Sequence, residues 1–166
     1  MKKDASYWIK ALKLQTHPEG GFYKETYRSR EVIPKTGLPA RYNKERCFFT
    51  SIYYLLRSRD KSCLHRLKSE EIWHFFAGRS LTISMISPAG ELQRVKLGRN
   101  LEKKETLQVV VPANHWFGAT VDHKSSYTLI GCTVAPGFDF EDFELAKKEQ
   151  LRKEYPELQK IIETLT

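Results

Sequence analysis

Apolar residues recur along this chain with two different periods. Ala5, Trp8, Ile9 and Leu12 fall at i, i+3, i+4 and i+7, the stripe that an amphipathic helix presents to a core. His17-Pro-Glu-Gly-Gly21 interrupts that stripe, because proline lacks a backbone donor and paired glycines supply turn conformations. Beyond it the period falls to two. Residues 22–28 alternate, and short strands at hairpin spacing follow at 48–56, 64–67, 71–76, 81–86, 92–97, 107–111, 116–120 and 127–134. Turn-rich breaks such as Ser87-Pro-Ala-Gly90 separate them. Many short strands without helices between them predict an antiparallel sandwich or barrel.

Two segments depart from this rhythm. Residues 29–46 are polar, basic and punctuated by Pro34, Gly37 and Pro39, which predicts a long irregular loop. In the tail, Asp139, Glu141, Asp142 and Glu144 sit where the positive end of a helix would be, with Lys147, Lys148, Arg152 and Lys153 toward its negative end. Pro156 stops that helix and can start another over 157–165. The expected organisation is one domain over 1–166, with a barrel core at about 20–136 and a helical tail, 139–165, packed outside.

Composition narrows the class. A chain of 166 residues suits one domain with one sizeable core, and 40% hydrophobic with 12% aromatic residues excludes a disordered chain. No apolar run approaches the ~20 residues of a membrane span, and no signal-peptide core follows the charged start. A cytoplasmic protein without a membrane partner is expected. Cys47, Cys63 and Cys132 are odd in number and form no CxxC pair, so they read as small buried hydrophobes rather than a disulfide framework. Cys63 lies two residues before His65, on the same face of a regular strand, which keeps a thiol–imidazole pair open. The net charge of +8 is concentrated in residues 24–68, where 12 Lys/Arg stand against 4 Asp/Glu. Without dense basic runs or aromatic RNA signatures, this predicts a solvated basic face and no nucleic-acid partner.

The candidate chemistry gathers around one strand pair. His65 and Leu67 share a face, as do Glu71, Trp73 and Phe75. If those faces look inward, desolvation raises the carboxyl pKa and lowers that of the imidazole, tuning both toward proton transfer near neutrality. The same groups could hold a divalent metal or form a buried core pair. A second candidate is the turn Glu19-Gly20-Gly21, with Tyr23 and Arg28 nearby for stacking and anion contacts; a plain tight turn explains it as well. Tyr53 and Tyr54 straddle opposite faces, so one points inward, and Tyr53 is counted among the ligand contacts. Trp73, Trp116 and Phe117 form either a pocket wall or core.

These segments resemble the cupin superfamily. Its first motif, H-x-H-x(3,4)-E-x(6)-G, is matched by His65, Glu71 and Gly78, with Leu67 in place of the second histidine. Its second, P-x-G-x-x-H, is matched by Pro112, with Asn114 for the glycine and Phe117 for the metal-binding histidine; His115 would share Phe117's face in an unbulged strand. The stretches His17–Ser29, Thr50–Leu56, His65–His74, Pro112–Ala119 and Gly131–Leu145 together resemble the cupin-5 group, a cupin-like family of unknown function. The resemblance implies a mainly β, double-stranded β-helix (jelly-roll) barrel, usually homodimeric, and no established reaction. With two of four ligands replaced, no cofactor is expected, and any weak divalent ion would rest on His65 and Glu71. The resulting expectation is a small polar or sugar-like ligand in the barrel, with isomerase- or epimerase-like acid–base chemistry. A non-catalytic binding module and a weakly metal-dependent, oxygenase-like cupin remain the alternatives.

Overall fold

The computed structural model describes residues 3–166. Helix α1 (Ala5–Leu12) opens the chain, capped by Asp4, whose carboxylate accepts from the Tyr7 N–H at 2.8 Å. The strands follow as β1 (Gln15–Thr16), β2 (Phe22–Arg28), β3 (Val32–Ile33), β4 (Arg46–Cys47), β5 (Thr50–Arg57), β6 (Lys61–Leu67), β7 (Glu70–Gly78), β8 (Leu81–Ile86), β9 (Leu92–Leu97), β10 (Gln108–Val111), β11 (Trp116–Val121), β12 (Tyr127–Ala135) and β13 (Phe143–Leu145). Helices α2 (Lys148–Glu154) and α3 (Gln159–Leu165) close the chain.

Two antiparallel sheets face each other. One has the order β1-β2-β5-β12-β7-β10, the other β13-β6-β11-β8-β9. Consecutive strands β6 and β7 therefore lie in different sheets, and the chain crosses between layers at Lys68–Ser69. The alternation of side chains sends Tyr54, Leu56, Leu67, Trp73, Ile83, Phe117 and Ile130 into the space between the sheets, where they form the principal core.

Each sheet also has one covered outer face. On the six-stranded sheet, α1 lays Trp8, Ile9 and Leu12 over Leu55 and Leu129. On the five-stranded sheet, Leu151, Tyr155, Ile162 and Leu165 of the tail bury Leu64, Ile86 and Trp116. Parts of β5 and β12 are therefore covered on both faces.

Two expectations need correction. Residues 29–46 are not wholly irregular, since β3 pairs with β4 and Tyr42 is fully buried, its hydroxyl 2.9 Å from Ser69 Oγ. The acidic segment after Asp139 does not open a helix. Phe140–Asp142 is a single 3-10 turn, and β13 then pairs with β6, matching Phe143 to Leu67 and Leu145 to His65. Pairing at the open edge of β6 and burial of Asp142 against Arg46 outweigh the favourable placement of acids at a helix start. The same acids answer the basic stretch. Arg46 forms a two-pronged buried pair with Asp142 at 2.6 and 2.7 Å, Lys44 meets Glu141 at 2.6 Å, and Arg66 meets Glu144 at 2.7 Å. The predicted basic face is thus partly neutralised by the tail.

Candidate functional site

A cavity of about 140 Å³ opens at one end of the space between the sheets. Its rim carries the exposed Gln15, Glu25, Arg28 and Phe140; its floor carries the buried Glu19, Tyr54, His65, Leu67, Glu71 and Cys132. His65 comes from β6 and Glu71 from β7, so the two predicted site residues enter one cavity from opposite sheets.

His65 is held on all sides. Its Nδ1 lies 2.8 Å from the Cys63 carbonyl, and its Nε2 lies 3.0 Å from Glu19 Oε2. Phe117 packs on the ring at 4.0 Å between centroids, and Phe143 at 5.4 Å. A carbonyl only accepts, so Nδ1 carries a hydrogen. Nε2 is turned toward the Glu19 carboxylate. Ser62 Oγ donates to the other Glu19 oxygen at 2.9 Å.

Local irregularities build this group. The register of β6 against β11 shifts between Phe117 and Ala119, a bulge that brings Ser62 rather than Cys63 to the same carboxylate as His65. The thiol–imidazole pair is thereby dismissed: His65 contacts the Cys63 carbonyl, and burial pushes the Cys63 thiol up, away from the reactive thiolate. Glu19 arrives on the turn between β1 and β2. There Gly20 adopts φ 110°, the Cys63 N–H donates to the Glu19 carbonyl at 2.8 Å, and the Tyr54 hydroxyl donates to the Gly20 carbonyl at 2.9 Å. A Cβ on Gly20 would run into the Lys61 carbonyl. The glycine permits close approach to β6, not to a ligand.

His17, in the same turn, is a site residue that the alternation pattern missed. Its Nδ1 accepts the Glu19 N–H at 3.3 Å, its ring meets Tyr23 edge-on at 4.5 Å, and burial holds its pKa below the usual value against the opposing pull of Glu19. Glu71 is only 7% exposed. Burial, with the nearby Glu19 charge adding to it, pushes its carboxyl up to about 8, against partial relief from Cys132 and Trp73. Neither of these two reaches hydrogen-bond geometry with it, and the Trp73 indole N–H is a buried donor without a partner among the described residues. Burial also pushes the Tyr54 phenol well up.

Several predicted contacts sit elsewhere. Tyr53 faces outward beneath α1 and against Phe76, so Tyr54 is the inward member of the pair. Trp73, Phe75 and Phe117 pack into the core behind the cavity rather than lining it, because neighbouring strands cover them. Arg28 and Tyr23 do line it, but the Arg28 guanidinium is already gripped by Glu25 at 2.8 and 3.2 Å and by the Phe138 carbonyl at 3.0 Å. Phe138, Phe140 and Phe143 form the remaining wall; reading the tail as an external helix hid them.

The sequence pattern of the family described as "Cupin superfamily (DUF985)" matches residues 6–146. The chain belongs to this family. It is 30% identical over 151 residues to the uncharacterized protein YML079W of Saccharomyces cerevisiae, spanning 85% of this chain and 74% of that one. Protein SO0799 of Shewanella oneidensis superposes with a TM-score of 0.89 at 41% identity over 100% of this chain and 98% of its own. A hypothetical protein from Leishmania major gives 0.89 at 35% identity, with 98% of each chain covered. Oxalate decarboxylase from Bacillus subtilis shares the fold alone, at 14% identity and a TM-score of 0.55 over 91% of this chain and 36% of its own.

The metal that cupin barrels commonly hold finds a poor fit in these residues. Leu67 lines the cavity where a second histidine would stand, and Phe117 stacks on His65 where another would approach. His65 has both ring nitrogens engaged by protein oxygens. His115 precedes β11 in a turn, with Nδ1 3.2 Å from the Ala113 carbonyl, and does not line the cavity. Among the described residues no group of three His, Cys, Asp or Glu side chains is arranged to hold an ion.

Proposed function

We propose that the cavity binds a small polar, sugar-like molecule and that His65 and Glu71 move protons on it in an isomerase- or epimerase-like reaction that needs no metal. The observation that carries this reading is the entry of two proton-bearing groups into one cavity from opposite sheets. Glu71, largely neutral at pH 7, can give a proton from one side. The Glu19–His65 pair can take up or return a proton from the other. Tyr23 and the phenylalanine wall offer apolar faces to a sugar ring.

A second reading has its own support. Both His65 nitrogens already have protein partners, which suits a binding module in which the dyad orients a ligand without reacting. Substitutions separate the two. Once a bound molecule is recovered by native mass spectrometry, H65A and E71A should each lower its turnover about 10²–10⁴-fold. Turnover that survives both changes removes the catalytic assignment and leaves the binding module. Stoichiometric transition metal in the purified protein would overturn the metal-free reading.

The same proposal includes a reducing, cytoplasmic setting, consistent with three free thiols, and a homodimer. No described helix is long and apolar enough to cross a membrane. Sedimentation equilibrium returning only the monomer mass would remove the dimer.

A further inference from the structure

The charges that line the cavity pair off unequally. Among the described residues Arg28 is the only lysine or arginine that lines it, and Glu25 holds it in a two-pronged contact. Glu19 is matched by His65 at 3.0 Å. Glu71 remains. It is more than nine-tenths buried, faces the cavity, and makes no hydrogen bond or ion pair among the described residues. Its oxygens open onto the cavity, and a carboxylate held there is costly unless something completes it.

A phosphate or carboxylate placed here would find no uncommitted lysine or arginine among the described residues and would face three carboxyl groups. An ammonium would find a carboxylate to pair with and aromatic faces on several sides. The His17–Tyr23 and His65–Phe143 contacts, together with the Phe138–Phe140–Phe143 cluster, place ring surfaces around the same space. Aromatic faces attract cations electrostatically, more strongly when water is excluded.

We infer that the cavity selects a small polar ligand bearing a protonated amine, with the Glu71 carboxyl as the group that receives the ammonium. This deepens the sugar-like reading above and rests on it: the class becomes amino-substituted polyols or sugars, and phosphorylated or carboxylated ones are rejected. Toward such a ligand Glu71 orients the amine, in place of the proton-donating role it has toward a neutral sugar, and proton movement falls to the Glu19–His65 pair. The proton balance is simple. A neutral Glu71 that meets an ammonium gives its proton to solvent; one that meets a free amine gives it to the nitrogen. Either route ends in a carboxylate–ammonium pair.

Glucosamine, glucose and glucose 6-phosphate serve as probes for the full-length protein, with affinities measured by calorimetry at pH 7 and the Glu71 side-chain carbon followed by NMR. Glucosamine should bind about tenfold tighter than glucose, glucose 6-phosphate no tighter than glucose. Glucosamine should also lower the Glu71 titration midpoint by about one pH unit or more, and glucose should leave it in place. In E71Q the preference for glucosamine over glucose should collapse. Equal affinities, a preference that survives E71Q, or an unmoved Glu71 midpoint overturns the inference and leaves the sugar-like reading standing. Tighter binding of the phosphate does the same. If none of the three probes binds, both readings fall together. The wild-type NMR titration decides the matter even if E71Q does not fold.

Discussion

The Glu71 carboxyl is the group on which the environment acts most visibly. Because burial raises its pKa to about 8, the folded protein binds a proton that the unfolded chain has released above the ordinary carboxyl value of 4.5. Between those values the native state holds more protons, so stability falls as pH rises, by at most about 1.4 kcal/mol per pH unit. His17 acts with the opposite sign. Its lowered pKa lets the unfolded chain take up the proton first, so stability falls as pH drops below 6.5. E71Q should therefore remove the decline due to Glu71: denaturation at pH 8.5 will show a variant more stable than the parent, and the difference should vanish as pH falls to about 4. An unchanged slope in the variant would contradict the burial argument. His65 and Glu71 could be read from alternation, since each sits on an inward face of a regular stretch. Glu19 and His17 could not, because a turn has no parity, and nothing local says which of its side chains reaches a neighbouring sheet.

Strands and turns deliver these groups, and three devices matter. The bulge in β6 rotates Ser62 into line with His65. The glycine turn lays Glu19 against β6, and at φ 110° with the Lys61 carbonyl in the way, G20A should cost about 1–3 kcal/mol. It should also displace Glu19, so the His65 ring nitrogens will shift in an NMR spectrum, whereas a purely global destabilisation would leave the folded spectrum intact. The third device is the aromatic wall, held down by Arg46–Asp142. Both side chains are almost wholly buried, and Lys68 adds a contact at 3.4 Å. D142A strands a buried guanidinium and should cost about 3–5 kcal/mol in urea unfolding. Replacing both partners, as R46M with D142L, should recover most of that loss. An additive double variant would show that the pair is not coupled. The acids that signalled a helix start are thus spent in tertiary pairs.

Taken as a layered molecule, the protein separates its stability from its site. The tail helices lie on the outer face of the five-stranded sheet, with the cavity on the inner face. Ile162 is fully buried there, so I162A should cost about 2–5 kcal/mol. The affinity of whatever ligand the cavity holds should stay unchanged in the fraction that remains folded. A matching loss of affinity would show that the two faces are coupled through the sheet.

The local pattern of apolar and polar residues was enough to specify a stack of short antiparallel strands, a helix over 5–12, and one face shared by His65 and Leu67 and another by Glu71 and Trp73, because each of these depends on neighbours a few positions away. Pairing between sheets is another matter. Which tyrosine faces in, which carboxylate meets His65, and whether the acidic tail coils or extends all depend on surfaces that meet only after the sheets close. Those contacts join residues 40 to 100 positions apart, as Glu19 with Ser62 and Arg46 with Asp142 do, and no local period carries that information.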